Sequence, residues 1–184
     1  MAISPNQLSH SVVAGATAFA VTFSVTPFVR RLAVRCGWVD HPLQDRWGRQ
    51  VTARLGGVAM FLGFLSATIC WVPIGGAVKG LLIGTTLVFA LGLFDDLHRT
   101  PPYTKLVVQL VIGCLVVLSG VRIELIRWPW LSIPLSVLWF VLVMNAFNLL
   151  DNMDGLSAGI GALAAGFCAV HGLLAGQVVV VLLG

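Results

Sequence analysis

Charge is scarce in this sequence. Lys, Arg, Asp and Glu together make up 10% of its 184 residues, against roughly 25% in an average soluble domain. With 58% hydrophobic residues and a mean hydropathy of +0.98, that deficit excludes an ordinary soluble fold. Paired cysteines are also lacking. Cys36, Cys70, Cys114 and Cys168 show no paired spacing and three lie inside apolar runs, so they read as small buried hydrophobes and not as a disulfide framework. His10, His41, His98 and His171 are scattered without metal-ligand spacing. No Lys or Arg precedes the first apolar run, and that run is too long for a typical signal peptide, so it reads as a retained first span. The pI near 9.2 raises nucleic acid as a partner. Positive charges that set topology in loops explain it better, and no nucleic-acid partner is expected.

What is present is a series of apolar runs, several approaching the about 20 residues that cross a bilayer as a helix. They fall near residues 11–29, 55–72, 80–94, 105–120, 133–150 and 156–174, and another begins at Val178. The expected fold is an all-α polytopic integral membrane protein with six complete transmembrane helices and the start of a seventh. Residues 1–184 read as a single transmembrane domain. The chain stops at Gly184 inside a fresh apolar run, so it reads as the N-terminal portion of a longer protein. Between the fourth and fifth runs lie residues 121–130, whose first half alternates apolar and charged, a strand or short hairpin pattern. Trp128 and Trp130 there look like interfacial anchors.

Orientation follows from the basic residues. Arg30, Arg31, Arg35, Arg46, Arg49, Arg54, Arg99 and Lys105 fall in the first and third connections. Lys79, Arg122 and Arg127 fall on the other side. Eight against three places the first and third connections in the cytoplasm and the N-terminus outside. The fifth connection, 151–155, then shares that cytoplasmic face. Asp95, Asp96, Lys105, Asp151, Asp154 and the basic first loop are thereby collected on one side of the membrane.

Carboxylates are the scarcest charge, seven in all, and an ionised one near hydrocarbon is expensive without a partner. Asp95 and Asp96 are adjacent, repel one another and sit at the negative end of a helix dipole. A divalent cation or a nearby Lys or Arg would reverse that balance, and a solvated interfacial pair is the plain alternative. Asn145, Asn148, Asp151 and Asp154 recur every third residue. On an unbroken helix each such step rotates the side chain by about 60°, so the set converges on one ligand only if the helix breaks near Asp151. Asn152 and Gly155 permit that break; the alternative is a packing pair followed by a turn. Lys105 and Gln109 share a helix face. Lys105 could hold a phosphate, pair with Asp95 or Asp96, or only anchor the helix at the interface. Carboxylates beside basic groups on membrane helices fit Mg²⁺-assisted phosphoryl transfer involving a lipid phosphate.

Three stretches carry a family resemblance. They are Val39-Asp40-His41-Pro42 with Arg46 and Arg54-Leu55-Gly56-Gly57; Gly92-Leu93-Phe94-Asp95-Asp96 with Lys105 and Gln109; and Asn145 through Leu156. In order and spacing the chain resembles the N-terminal half of the polyprenyl-phosphate N-acetylhexosamine-1-phosphate transferases, enzymes of ten or eleven spans in the bacterial plasma membrane. The resemblance implies that a UDP-N-acetylhexosamine and undecaprenyl phosphate react with Mg²⁺, or Mn²⁺ in its place, to give the lipid pyrophosphate sugar and UMP. It implies Asp95, Asp96 and Lys105 as catalytic residues, with Asp95 activating the lipid phosphate or acting as nucleophile and Asp96 holding metal or orienting Lys105. It implies Asn145, Asn148, Asp151, Asp154, Arg46 and Arg54 as substrate contacts, and Asp95, Asp96 and Asp151 as metal ligands. A homodimer is the candidate assembly.

The first loop reads Arg54-Leu55-Gly56-Gly57 where the muramoyl-pentapeptide branch has Thr-Pro-Thr-Met-Gly-Gly. That favours a UDP-GlcNAc-like donor, as in enzymes that start teichoic acid, O-antigen or exopolysaccharide synthesis. Arg46-Trp47-Gly48-Arg49 departs from the family's Arg-Lys-x-His, and Asn152 stands where Gly is common. The resemblance also implies that this portion alone is inactive. A CDP-alcohol phosphotransferase would need an Arg and further aspartates after Asp154-Gly155, which are absent. A transporter half would place its polar groups near mid-membrane, not at one face.

Overall fold

A computed structural model describes residues 5–40, 52–53, 55–98, 100–124, 127–151 and 155–183. The chain is helical. In order it forms α1 (Pro5–Arg35), β1 (Val39–Asp40), β2 (Thr52–Ala53), α2 (Gly56–Trp71), α3 (Gly76–His98), α4 (Pro102–Leu118), α5 (Pro129–Leu150), α6 (Leu156–Ala175) and α7 (Val178–Leu183). This is a multi-span membrane protein. Among the described residues four helices are long and apolar enough to cross a bilayer: Ser9–Arg35 of α1, α3, α5 and α6. The other two expected spans are apolar but shorter. α2 and α4 have 16 and 17 residues, about 24–26 Å of helix against a hydrocarbon core of about 30 Å. Punctuation in the sequence explains their length. Pro73 follows the end of α2, Pro101-Pro102 opens α4, and Gly120 closes it at φ 103°, a conformation glycine takes without strain.

The chain divides into two compact units, Met1–Val72 with Gly172–Leu183, and Pro73–His171. In the first, α1 packs along α2 through small residues. Ala14, Ala33, Ala59 and Ala67 are buried, and Gly63 lies directly against Thr22 and the Ala18 carbonyl. Such contacts let backbones approach where lipid removes the usual hydrophobic drive. Trp71 Nε1 donates to Thr17 Oγ1 at 3.1 Å, and His10 meets the Trp71 ring edge-on. The antiparallel pair Val39–Ala53 and Asp40–Thr52 forms a short ladder in a stretch read from sequence as plain loop.

In the second unit α4 packs against both α3 and α5. Gly84 of α3 faces Val116, and Gly113 of α4 faces Val137 of α5. Most large apolar side chains elsewhere on these helices point outward, as lipid-facing surfaces do. The four cysteines are exposed as well, not buried as their apolar neighbours suggested. An apolar solvent outside makes an outward thiol acceptable.

The strand or hairpin expected over 121–130 is absent among the described residues. A strand needs a partner for its backbone groups, and here helix α5 supplies it. The Ile123 N–H donates to Ser136 Oγ at 2.9 Å, and the Ile123 carbonyl accepts from Ser132 Oγ at 2.6 Å. Ser132 and Ser136 are buried, at 2% and 1% exposure respectively, so these bonds satisfy polar groups on both sides.

The α1–α2 contact is tight enough to test. A Cβ on Gly63 would lie 2.7 Å from the Ala18 carbonyl oxygen, whereas Gly15 has open space. Gly63→Ala is expected to destabilise the protein by about 1–3 kcal/mol, read as a lowered melting temperature in detergent. Gly15→Ala should melt no lower than wild type. Equal melting of the two variants would show that the helices do not pack this closely.

Candidate active site

Asp95 occupies the last turn of α3, where the helix dipole disfavours an anion. The chain then turns through Thr100 and re-enters a helix at Pro102, which brings Lys105 back beside the acid. Lys105 Nζ donates to Asp95 Oδ2 at 2.7 Å, and the Thr100 backbone N–H donates to Asp95 Oδ1 at 2.9 Å. Both oxygens of Asp95 are thus engaged. These are charge-assisted bonds, the stronger kind, between side chains 17% (Lys105) and 23% (Asp95) exposed.

Lys105 reaches a third helix. Its ammonium also donates to Asn148 Oδ1 on α5, at 3.0 Å. One turn deeper, Asn145 Nδ2 donates to Gln109 Oε1 at 2.8 Å and to the Val141 carbonyl at 2.8 Å. Gln109 is 3% exposed. Lys105 and Gln109 on α4 therefore make two rungs with Asn148 and Asn145 on antiparallel α5. The four-residue step on one helix matches the three-residue step on the other, because both keep to one face.

The break expected near Asp151 is where α5 ends. Leu150 is its last residue, and the N–H of Asp151, its C-cap, donates to the Phe147 carbonyl at 3.0 Å. Gly155 follows at φ 75°, and α6 starts at Leu156. The stretch from Asn145 is thus helical through Leu150, with turn conformation at Asp151 and Gly155, and residues 152–154 lie outside the described residues. Asp151 is exposed and stands one turn beyond Asn148, about 4.5 Å along the axis. Asp96 is the more exposed of the adjacent pair.

The structure brings together Asp95, Lys105, Asn148, Asn145 and Gln109. It does not gather Asp95, Asp96 and Asp151 into a ready-made metal cage: no three Asp, Glu, His or Cys side chains cluster in that way among the described residues. Arg46, Arg54 and Asp154 lie outside the described residues. Thr100 was not foreseen, since it contributes a backbone N–H that residue type cannot signal. The short link between Asp95 and Lys105 was the available clue. The Thr100 hydroxyl oxygen lies buried in the same corner, beside the Asp95 carboxylate.

The family model for glycosyl transferase family 4 matches residues 78–184, which include this whole junction. The chain belongs to glycosyl transferase family 4. Among curated relatives it is 29% identical over 179 residues to a Bacillus subtilis protein named "Probable undecaprenyl-phosphate N-acetylglucosaminyl 1-phosphate transferase", covering 92% of this chain and 50% of that protein. It is 30% identical to the decaprenyl-phosphate N-acetylglucosaminephosphotransferase of Mycolicibacterium smegmatis, covering 86% of this chain and 44% of that one. It is 28% identical over 141 residues to the undecaprenyl-phosphate alpha-N-acetylglucosaminyl 1-phosphate transferase of Thermotoga maritima, covering 76% and 45%. The chain thus spans about half the length of the curated relatives it matches. No solved structure matches it at a significant level.

The deeper rung of this family 4 site can be measured by a double-mutant cycle. Asn145→Leu leaves the buried Gln109 amide without its partner, as Gln109→Leu leaves Asn145. The two changes should be non-additive, with a coupling of about 0.5–2 kcal/mol in melting experiments. Strict additivity would mean that the amides do not meet.

Proposed function

We propose that the whole protein transfers N-acetylglucosamine 1-phosphate from a UDP-sugar to a polyprenyl phosphate, releasing UMP. The observation that carries this reading is the Asp95–Lys105–Asn148 junction at adjoining helix ends of a family 4 chain. The names of the three relatives above, each a polyprenyl-phosphate N-acetylglucosamine-phosphate transferase, support it. In the reaction, an oxygen of the lipid phosphate bonds to the phosphorus that carries the sugar. The bond from that phosphorus to the bridging oxygen breaks, and UMP leaves with that oxygen.

In this reading Lys105 is the phosphate-facing cation. Asp95 and Asn148 hold its ammonium in place, so the charge is positioned before substrate arrives. A carboxylate already bonded through both oxygens acts better as an orienting group than as a nucleophile, so Asp95 takes the role of positioning Lys105. Asp96 and Asp151, both exposed at helix ends, are the carboxylates assigned to the nucleotide side.

Magnesium fits this donor set. Mg²⁺ uses one or two carboxylates and completes its shell with water and substrate phosphate, so the lack of a three-residue cage is compatible with it. Asp96 and Asp151 are its proposed holders. When bound, the ion would neutralise charge on the pyrophosphate. The site is assigned to the cytoplasmic face of a bacterial plasma membrane, with α2 and α4 also crossing it to give six spans, and with a homodimer as the candidate assembly.

The test is UMP release by the full-length protein with undecaprenyl phosphate and UDP-N-acetylglucosamine. Asp95→Asn, Lys105→Met and Asp151→Asn should each lower kcat/KM by about 100-fold or more. Wild-type rates in both aspartate variants would refute the site. In a separate experiment, chelation of divalent ions should abolish turnover, and Mg²⁺ or Mn²⁺ should restore it. Turnover that survives chelation would remove the metal from the reading.

A further inference from the structure

The second unit has another charged locus, at the opposite end of α5. Arg122, Glu124, Arg127, Pro129 and Ser132 line a cavity of about 160 Å³ there. It is separate from the junction at Lys105: Ser132 and Asn148 lie sixteen residues apart on α5, about 24 Å along its axis. Among the described residues neither guanidinium has an ion-pair partner.

We propose that this cavity binds the phosphodiester headgroup of a membrane phospholipid, held by Arg122 and Arg127. The proposal is independent of the transfer reaction. Four observations carry it. The cavity is a built feature, because the segment bearing Arg122 and Glu124 is pinned on both sides of Ile123 by the buried serines 132 and 136. Its size suits a small headgroup, being well below the about 300–1,000 Å³ of pockets that enclose drug-sized ligands. Its formal charge, two arginines against Glu124, is one net positive. A singly charged phosphodiester balances that, whereas an inorganic phosphate dianion leaves an excess beside the Glu124 carboxylate. Finally, Trp128 and Trp130 stand next to it, stacked at 6.2 Å and 62% and 72% exposed. Exposed tryptophans at a helix end mark the headgroup level of a bilayer. Two planar guanidiniums match phosphate oxygens in pairs, and the N-terminal end of α5 adds a favourable dipole.

The experiment uses the full protein in neutral detergent, with bound molecules counted by native mass spectrometry. The probes are short-chain phosphatidylglycerol, short-chain uncharged diacylglycerol and inorganic phosphate. One phosphatidylglycerol should bind with preference, and Arg122→Gln combined with Arg127→Gln should weaken it by at least about tenfold. Glu124→Gln should tighten it, a gain that misfolding cannot mimic. The double Lys variant keeps both charges and should bind between wild type and the Gln pair. Equal binding to wild type and the Gln pair would overturn the proposal, as would weaker binding to Glu124→Gln. Diacylglycerol binding as well as phosphatidylglycerol would overturn it by showing an apolar site. Displacement of the lipid by equimolar inorganic phosphate would overturn it in favour of a free-anion site.

Discussion

A charge at the edge of hydrocarbon must find a partner, and in the second unit the partner chosen decides where three helices meet. Lys105 bonds at once to Asp95 at the end of α3 and to Asn148 near the end of α5. Its own helix, α4, lies against both. The value of this arrangement is positional. A partly buried ion pair recovers little net stability after desolvation, but removing one partner leaves the other exposed to the full penalty. The three helix ends therefore have one favourable arrangement and several costly ones.

The second rung extends this argument into the membrane. Gln109 and Asn145 sit one turn inside the apolar runs, Gln109 buried at 3% exposure and Asn145 exposed. The Asn145 amide N–H donates to the Gln109 oxygen, and Asn145 also bonds back to Val141. Small residues then permit the close approach that the rungs require, Gly84 beneath Val116 and Gly113 beneath Val137. Polar rungs set the register of α4 against α5, and the glycines let the helices come near enough to make them. Neither would suffice alone, since lipid competes equally well for apolar side chains.

Much of this was legible in the sequence because polar residues in an apolar chain are conspicuous. Three-residue spacing from Asn145 demanded a break near Asp151, and α5 ends there. The shared face of Lys105 and Gln109 was equally readable, and so was a lysine partner for the acidic pair. What could not be read was contributed by backbone. The Thr100 N–H that completes the Asp95 shell has no residue signature. The alternation in the first half of 121–130 suggested a strand because periodicity reports which side chains differ, not where backbone bonds go. Two serines on α5 took those bonds, and serine inside an apolar run reads equally well as a packing residue. Helix lengths were similarly hidden: hydropathy marks apolar content, whereas prolines and glycines cut α2 and α4 short.

The two ends of α5 also show why a count of positive charges is a coarse instrument. Lys105 enters that count as a cytoplasmic charge, yet its ammonium is committed to a carboxylate and an amide. Arg122 and Arg127 enter it on the opposing side, yet their guanidiniums are without ion-pair partners among the described residues and border a cavity. A neutralised lysine says little to the surrounding bilayer, whereas an unneutralised arginine pair attracts phosphate wherever it is placed. The local partner, not the sign alone, determines what each charge does. In the proposed reading, one end of the second unit receives phosphate for chemistry through the ammonium that Asp95 and Asn148 position. The other end, in the lipid proposal, holds a headgroup phosphate beside Trp128 and Trp130.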